Sequence, residues 1–402
     1  MKYIVILGDG MADLPVKELG NRTPLDVAKK PNIDFMSENG ILGLVKTVPD
    51  HLNPPGSDIA NMAVMGYDPD IYYSGRSPLE AASLGIDLAP DDLAVRCNLV
   101  TLSEDEPYDQ KTMVDYSSDE ISTEEAAKLI DTLRDELFSK YGCFKIYSGF
   151  SYRHCLVYKI PGKISLGCTP PHDISGRKIT NYMPKNDLIR EITVKSYDIL
   201  KDHPVNVSRR ERGLRPANSV WLWGEGRKPN FDSFESRFRI KGAVVSAVDL
   251  LKGLGKCAGL EVLNVEGATG TYITNYEGKV EAALDFLRNR GDFVYIHMEG
   301  PDECGHRHEI ENKVTAIESI DAKVAGPILK ACREEFKDFR ILVMPDHPTP
   351  LDLRTHTHDP IPFTIYGSDI KTRSGLPYNE STGASTGLYC EKGYNLIETL
   401  FK

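Results

Sequence analysis

Three separated stretches hold residues able to bind two divalent ions. They are Gly8-Asp9-Gly10 after an apolar run, Asp302-Glu303-Cys304-Gly305-His306, and Pro345-Asp346-His347 followed by His356-Thr357-His358-Asp359-Pro360. Carboxylates mixed with imidazoles suit a pair of ions a few ångströms apart, and such a pair clamps the incoming and leaving oxygens of a phosphate. A fourth stretch, Pro54-Pro55-Gly56-Ser57-Asp58, offers a hydroxyl that a metal could turn into a nucleophile. The constellation points to an enzyme acting on phosphate esters.

Each motif alone has a plainer reading. Asp9 sits between glycines that permit a sharp turn and leave room for an ion, yet it could be a turn aspartate. Asp302 and His306 share one face if their segment is helical, and would be solvated if it is a loop among Glu299, Glu303, His308 and Glu309. Asp346-His347 closes an apolar run, as a polar turn would. His356 and His358 compete for one role, and strand-like spacing would put both on one face. Ser57-Asp58 could cap a helix starting near Ile59, a role compatible with binding phosphate oxygens at that helix end. Cys304 reads as a packing residue, because hard metal sites seldom recruit a lone thiolate.

The elements between the motifs argue that they converge. Tyr3-Ile4-Val5-Ile6-Leu7 is a continuous apolar run, as expected of a strand covered on both faces in a parallel sheet, and residues 242–246, 293–297 and 340–344 look alike. Asp9, Asp302/His306 and Asp346/His347 each follow such a strand, and open α/β sheets gather ligands at those carboxyl ends. Val314, Ile317, Asp321, Val324 and Ile328 mark a largely apolar face at helical spacing and predict a helix from Glu311 to Phe336 that Pro327 should kink or break, and a shorter helix is expected over Val248 to Leu254. The middle of the chain differs. It has Glu104-Asp105-Glu106, a helix expected near Thr123 to Lys140, proline- and glycine-rich connections, and candidate strands over Tyr152 to Lys159 and Ser219 to Trp223. The expected organisation is a discontinuous α/β core, residues 1–100 and 239–402, with a smaller α+β domain, residues 101–238, inserted.

The chain of 402 residues, 41% apolar and 27% charged, can bury a large core. A net charge of −11 argues against a nucleic-acid or acidic-membrane surface, but not against an anionic substrate, which a cluster such as Arg209, Arg210, Arg212 and Arg215 could hold. Eight scattered cysteines without a Cys-x-x-Cys read as reduced thiols. No stretch is long enough to cross a bilayer, so a cytoplasmic location is expected. The sequence does not give the oligomeric state.

Taken together the motifs resemble the cofactor-independent (2,3-bisphosphoglycerate-independent) phosphoglycerate mutases of archaeal type, within the alkaline phosphatase superfamily. The resemblance also rests on Gly8 to Asp13, Met65-Gly66-Tyr67-Asp68-Pro69, Tyr73 to Ala81 and Arg96-Cys97-Asn98-Leu99. It implies an alkaline-phosphatase-like, mostly parallel sheet flanked by helices. It implies one metal held by Asp302, His306 and His356 and another by Asp9, Ser57, Asp346 and His347. His356 is preferred to His358 because the family's ligand stands three residues before the Asp/Asn of an Asp/Asn-Pro pair. Ser57 would be the nucleophile, Mn2+ the ion (Zn2+ or Co2+ as alternatives), and no 2,3-bisphosphoglycerate would be needed. Phosphoglycerate would give phosphoserine and glycerate, which is turned and rephosphorylated while the insert excludes water. Arg76, Arg153, Arg209 and Arg212 are candidates to hold the substrate's anionic groups, with His154 and Asp173 as hydroxyl or proton partners.

Two stretches depart from the family pattern. Trp223-Gly224-Glu225-Gly226 stands where Arg-Gly-Ala-Gly is common, and Pro170 stands where an Asp-Pro-His would begin. Both touch the expected substrate side, so a homoserine kinase-like phosphotransferase or a phosphatase remain alternative readings. The kinase reading lacks a Gly-x-x-x-x-Gly-Lys-Ser/Thr loop. A non-catalytic binding protein is disfavoured by the intact set of seven ligand positions.

Overall fold

The computed structural model describes residues 1–162 and 165–402. The apolar N-terminal run forms β1 (Lys2–Gly8), and β2 (Ile41–Val45) follows. The chain then builds a second unit from β3 (Asp92–Leu102), β4 (Met113–Asp115), β5 (Phe144–Tyr147), β6 (Arg153–Lys159) and β7 (Ser219–Arg227). It returns with β8 (Gly242–Val245), β9 (Glu261–Leu263), β10 (Phe293–Met298), β11 (Phe339–Met344), β12 (Ile361–Gly367) and β13 (Tyr389–Cys390).

The first unit, Met1–Tyr73 with Asn230–Lys402, holds an eight-stranded sheet in the order β13-β2-β12-β11-β1-β10-β8-β9. β1 lies between β10 and β11 and is parallel to both, as are β8 to β10 and β9 to β8; β12 is antiparallel to β11 and to β2. The central strands are buried on both faces, which is why they read as unbroken apolar runs. Ile4, Ile6, Val294, Ile296, Ile341 and Val343 share a core with Leu284, Leu287, Ile317 and Ile328 from helices on one side.

The expected helix from Glu311 to Phe336 is interrupted. It runs Ile310–Ile320, widens into a π turn at Asp321–Ala325, and resumes at Gly326–Glu335. Pro327 lacks an N–H and its ring crowds the carbonyl four residues earlier, so the strain is absorbed one turn ahead, where the Gly326 N–H reaches back to Asp321 O.

The second unit is Ser74–Pro229. Its first boundary falls earlier than residue 101, because β3 pairs along its length with β6 and β7 and belongs to this unit's antiparallel sheet. One face of that sheet carries Leu93, Val95, Cys97, Leu99 and Leu222 under the helix Thr123–Glu136; the other carries Val100, Trp221 and Trp223.

Candidate metal centre

The motif residues are delivered by three strand ends and one helix start, all in the first unit. Asp9 follows β1. Gly10 beside it has φ +62°, and a Cβ there would lie 2.7 Å from Asp302 Cα, so a glycine lets two motifs touch. After β10 the helix Gly300–His306 carries Asp302 and His306 a turn apart, and Asp346-His347 follow just past the end of β11 at Met344. The helix Ser57–Val64 has Gly56 as its N-cap, so Ser57 is its first residue and not its cap.

All seven residues expected as ligands stand together. Asp9, Asp346 and His347 offer donor atoms within 4.8 Å of one another, and so do Asp302, His347 and His356. His306 Nε2 lies 2.9 Å from His356 Nε2 and 3.4 Å from Asp302 Oδ2. Ser57 Oγ is 3.0 Å from His347 Nε2. His347 is thus within reach of both groups, where the resemblance assigned it to one. His358 does not join: the chain over both histidines is a loop, and His358 turns its Nε2 to Leu52 O at 3.0 Å.

The hydrogen bonds behind the histidines decide what they can do. His306 Nδ1 donates to Arg354 O at 3.0 Å and His356 Nδ1 to Pro55 O at 3.1 Å. The Thr349 hydroxyl donates to Asp302, so it accepts from His347 Nδ1 at 3.3 Å. Each ring therefore spends its Nδ1 proton outward and turns Nε2 to the cluster, as metal-ligating histidines do. Asp346 is fixed by N–H groups of Gly10 and His347 and by Asn61 Nδ2 at 2.7 Å.

The electrostatics favour cations. Burial, and then the charges of Asp346, Asp302 and Glu299, push Asp9 well above the usual carboxylate range. Burial would raise Asp302 too, but its bonds to His306 and His356 hold it well below. Burial opposes protonation of His306, yet Asp302 lifts it to about 9; burial brings His347 down to about 4. Asp9 Oδ1 is buried without a hydrogen-bond partner. Three buried carboxylates, three inward Nε2 atoms and one orphaned oxygen make a donor set that fits two divalent ions.

The second unit sorts the remaining candidates. Arg76 and Arg96 both bond Glu80, at 3.0 and 2.8 Å. Burial would raise Glu80, but the Arg96 and Arg76 guanidiniums outweigh it and hold its carboxyl low; Arg153 adds to the same effect. Three guanidiniums around one carboxylate leave an excess of positive charge. Arg96 lies over the Trp223 ring at 4.7 Å, and His172 packs edge-on against it at 5.2 Å. The two stretches that carry the departures from the family pattern therefore meet, through His172 and Trp223. Asp173, exposed, is 3.6 Å from His172. The β3–β6 register turns His154 to the apolar face, opposite Arg153, where it is buried and held at about 3. Arg209 is buried with all three nitrogens engaged, on Arg215 O, Glu125 and Ser118 O, and Arg212 shares Glu125. These two arginines brace the scaffold and do not gather with Arg76 and Arg153. Sequence reasoning missed Asn61, Thr349 and His297, and singled out Arg96 only as part of a family motif, without a role. Only Thr349, two residues past His347, had a signal in its spacing.

The fold and cluster define a class: α/β proteins that gather carboxylates, imidazoles and a helix-terminal serine at the carboxyl edge of a mostly parallel sheet. A family profile described as 2,3-bisphosphoglycerate-independent phosphoglycerate mutase matches residues 37–206. A protein of that name from Methanosarcina barkeri is 47% identical over 406 residues, covering 100% of both chains. A probable one from Geobacter sulfurreducens is 48% identical over 404 residues, covering 100% of this chain and 99% of its own. Among solved structures, a Pyrococcus horikoshii protein aligns with a TM-score of 0.82 at 29% identity, over 100% of this chain and 96% of its own. The cofactor-independent phosphoglycerate mutase of Thermoplasma acidophilum aligns with a TM-score of 0.65 at 28% identity, over 100% of this chain and 99% of its own. The chain belongs to the 2,3-bisphosphoglycerate-independent phosphoglycerate mutase family. No helix among the described residues is long and apolar enough to cross a membrane.

Proposed function

We propose that this chain interconverts 3-phosphoglycerate and 2-phosphoglycerate through a phosphoserine at Ser57, without 2,3-bisphosphoglycerate, in the cytoplasm. The observation that carries the reading is the orientation of the three histidines, each donating Nδ1–H outward and presenting Nε2 beside Asp9, Asp302, Asp346 and the Ser57 hydroxyl. Asp302, His306 and His356 would hold one ion and Asp9, Ser57, Asp346 and His347 the other, with His347 near both; Mn2+ is the proposed ion, Zn2+ or Co2+ the alternatives. Bound there, the ions supply charge neutralisation on the transferring phosphoryl group and ease loss of the Ser57 proton.

The chain's own residues do the rest. Ser57 Oγ attacks the phosphorus of 3-phosphoglycerate, the bond from phosphorus to the C3 oxygen breaks, and that oxygen takes up a proton. The C2 hydroxyl of glycerate then loses its proton and attacks the phosphoserine; the bond to Ser57 Oγ breaks and the serine is restored. Asn61 holds the nucleophile's helix to Asp346, through bonds to Ser57 O and Asp346 Oδ2 at 2.8 and 2.7 Å. On the second unit, Arg76 and Arg153, with Arg96 behind them, are proposed to recognise the substrate's carboxylate, because the guanidinium fork matches it.

The test is a coupled assay of 3-phosphoglycerate conversion by Mn2+-loaded protein with no bisphosphoglycerate added, beside Ser57→Ala. Turnover by the parent and none by the variant is expected. Turnover that survives Ser57→Ala removes the phosphoserine step. Free phosphate as the product would make the chain a phosphatase, and activity only on homoserine with ATP would make it a kinase.

A further inference from the structure

Ser246 and His297, which the reaction above does not use, form a buried hydrogen-bonded array with Asp9. His297 lies in β10. Its Nε2 is 2.8 Å from Asp9 Oδ2, and its Nδ1 is 3.1 Å from Ser246 Oγ. The order serine, histidine, aspartate invites a hydrolase reading with Ser246 as nucleophile. Burial excludes it: Ser246 is 3% exposed and His297 0%, so no substrate reaches the hydroxyl.

The direction of the bonds shows another role. A carboxylate that holds an ion can only accept, so Asp9 Oδ2 takes the Nε2 proton of His297 and leaves Nδ1 to accept from the Ser246 hydroxyl, whose oxygen accepts the Val248 N–H at 3.0 Å. His306, His347 and His356 are wired the opposite way, with Nδ1 donating and Nε2 turned to the cluster. Behind His297, the buried Lys279 Nζ bonds His297 O at 3.1 Å and holds the strand end in place. Of Asp9's two oxygens, Oδ2 is therefore spent on His297, while Oδ1 has no hydrogen-bond partner and lies 3.5 Å from His347 Nε2.

We propose that His297, held by Ser246, is a positioning residue that fixes which Asp9 oxygen serves the ion shared with Asp346 and His347. This rests on the two-ion reading of the cluster. A neutral donor on the outer oxygen orients the carboxylate without neutralising it, and loss of such a partner typically lowers metal affinity about 10- to 100-fold.

The experiment is calorimetric titration of chelator-stripped protein with Mn2+, with the electron paramagnetic resonance spectrum of the loaded form to show whether two ions are adjacent. The parent is expected to take up two. His297→Leu is expected to lose about 10- to 100-fold in affinity for one ion and leave the other unchanged, with a mononuclear spectrum at limiting metal. His297→Gln, whose side-chain amide can still donate to Asp9, is expected to recover part of the loss. Ser246→Ala is expected to weaken the same ion less, and decides the matter alone if His297→Leu does not fold. Parent-like affinity for both ions in His297→Leu and Ser246→Ala overturns the proposal, as does equal weakening of both ions or a Gln variant no better than Leu. A parent that takes up fewer than two ions removes the two-ion reading itself, and this inference with it.

Discussion

Lys313→Met should unmask an ion pair that ties two metal-motif loops together. Lys313 Nζ lies 2.7 Å from Asp13 Oδ2, 2.8 Å from Thr349 O and 3.4 Å from Ala12 O, with both charged side chains buried. Asp13 belongs to the loop after Asp9, and Thr349 to the loop after His347. Burial raises Asp13 even with Lys313 beside it. Without the ammonium, its carboxyl would take up a proton in the folded state while remaining ionised in the unfolded chain. At pH 7 that costs at most about 4 kcal/mol, from ~1.4 kcal/mol for each unit between pH 7 and an unfolded pKa near 3.9. Breaking a buried pair by removing one partner costs about 3–5 kcal/mol by comparison. An apparent melting temperature lower by roughly 8–16 °C is expected at pH 7. The sign with pH follows: a carboxyl raised in the folded state costs stability above its unfolded pKa, so the deficit should shrink to about 1.5 kcal/mol at pH 5. Adding Asp13→Asn should restore much of the loss, since the amide oxygen still accepts from the Leu14 and Leu351 N–H groups. A thermal melt of both variants at pH 5 and 7 checks this. An equal deficit at the two pH values, or a double variant as unstable as Lys313→Met, would refute the reasoning.

His356→Ala should lose bound metal by elemental analysis while His358→Ala keeps it, because only His356 faces Asp302, at 3.2 Å; equal loss would mean that both bind. Burial raises Glu380 to about 7 against the opposing bonds from Thr23 and Asp13 N. The parent should therefore lose up to about 3 kcal/mol as pH climbs from its unfolded value near 4.5 through 7, and Glu380→Gln should not; a melting-temperature gap that fails to widen over that window contradicts the assignment. Arg153→Ala should raise KM for phosphoglycerate about 10- to 100-fold, the worth of a charged hydrogen bond, whereas His154→Gln, altered on the opposite face, should leave KM unchanged.

What could be read from the sequence follows from what each residue's role depends on. β1, β8, β10 and β11 were legible because burial on both faces leaves an unbroken apolar signature, and the strand ends then predicted where Asp9, Asp302 and Asp346 converge. The edge strands β9 and β13 have two or three residues and leave no such mark. β3 was hidden because its polar Arg96 and Asn98 alternate with apolar residues, and with it went the early boundary of the second unit. Arg209 and His154 show the other limit. Type and spacing mark a residue as capable of chemistry, but only partners such as Glu125, or the face of a strand, reveal whether that capacity is already used. His297 was invisible for a related reason: a histidine inside an apolar strand carries no sign of which ring nitrogen it will give away.

The order of the main sheet has a consequence for how the protein is made. β1 is synthesised long before both of its neighbours, β10 and β11, which come from the last third of this sequence; Asp9 and His297 are 288 residues apart. At about 5–20 residues per second, this apolar strand waits roughly 15 to 60 s for its partners. In that interval the whole of Ser74–Pro229, with its self-contained antiparallel sheet, has been synthesised and can fold. Each nascent chain therefore carries a completed second unit while β1 is still unpaired, and an unpaired apolar strand is prone to aggregate.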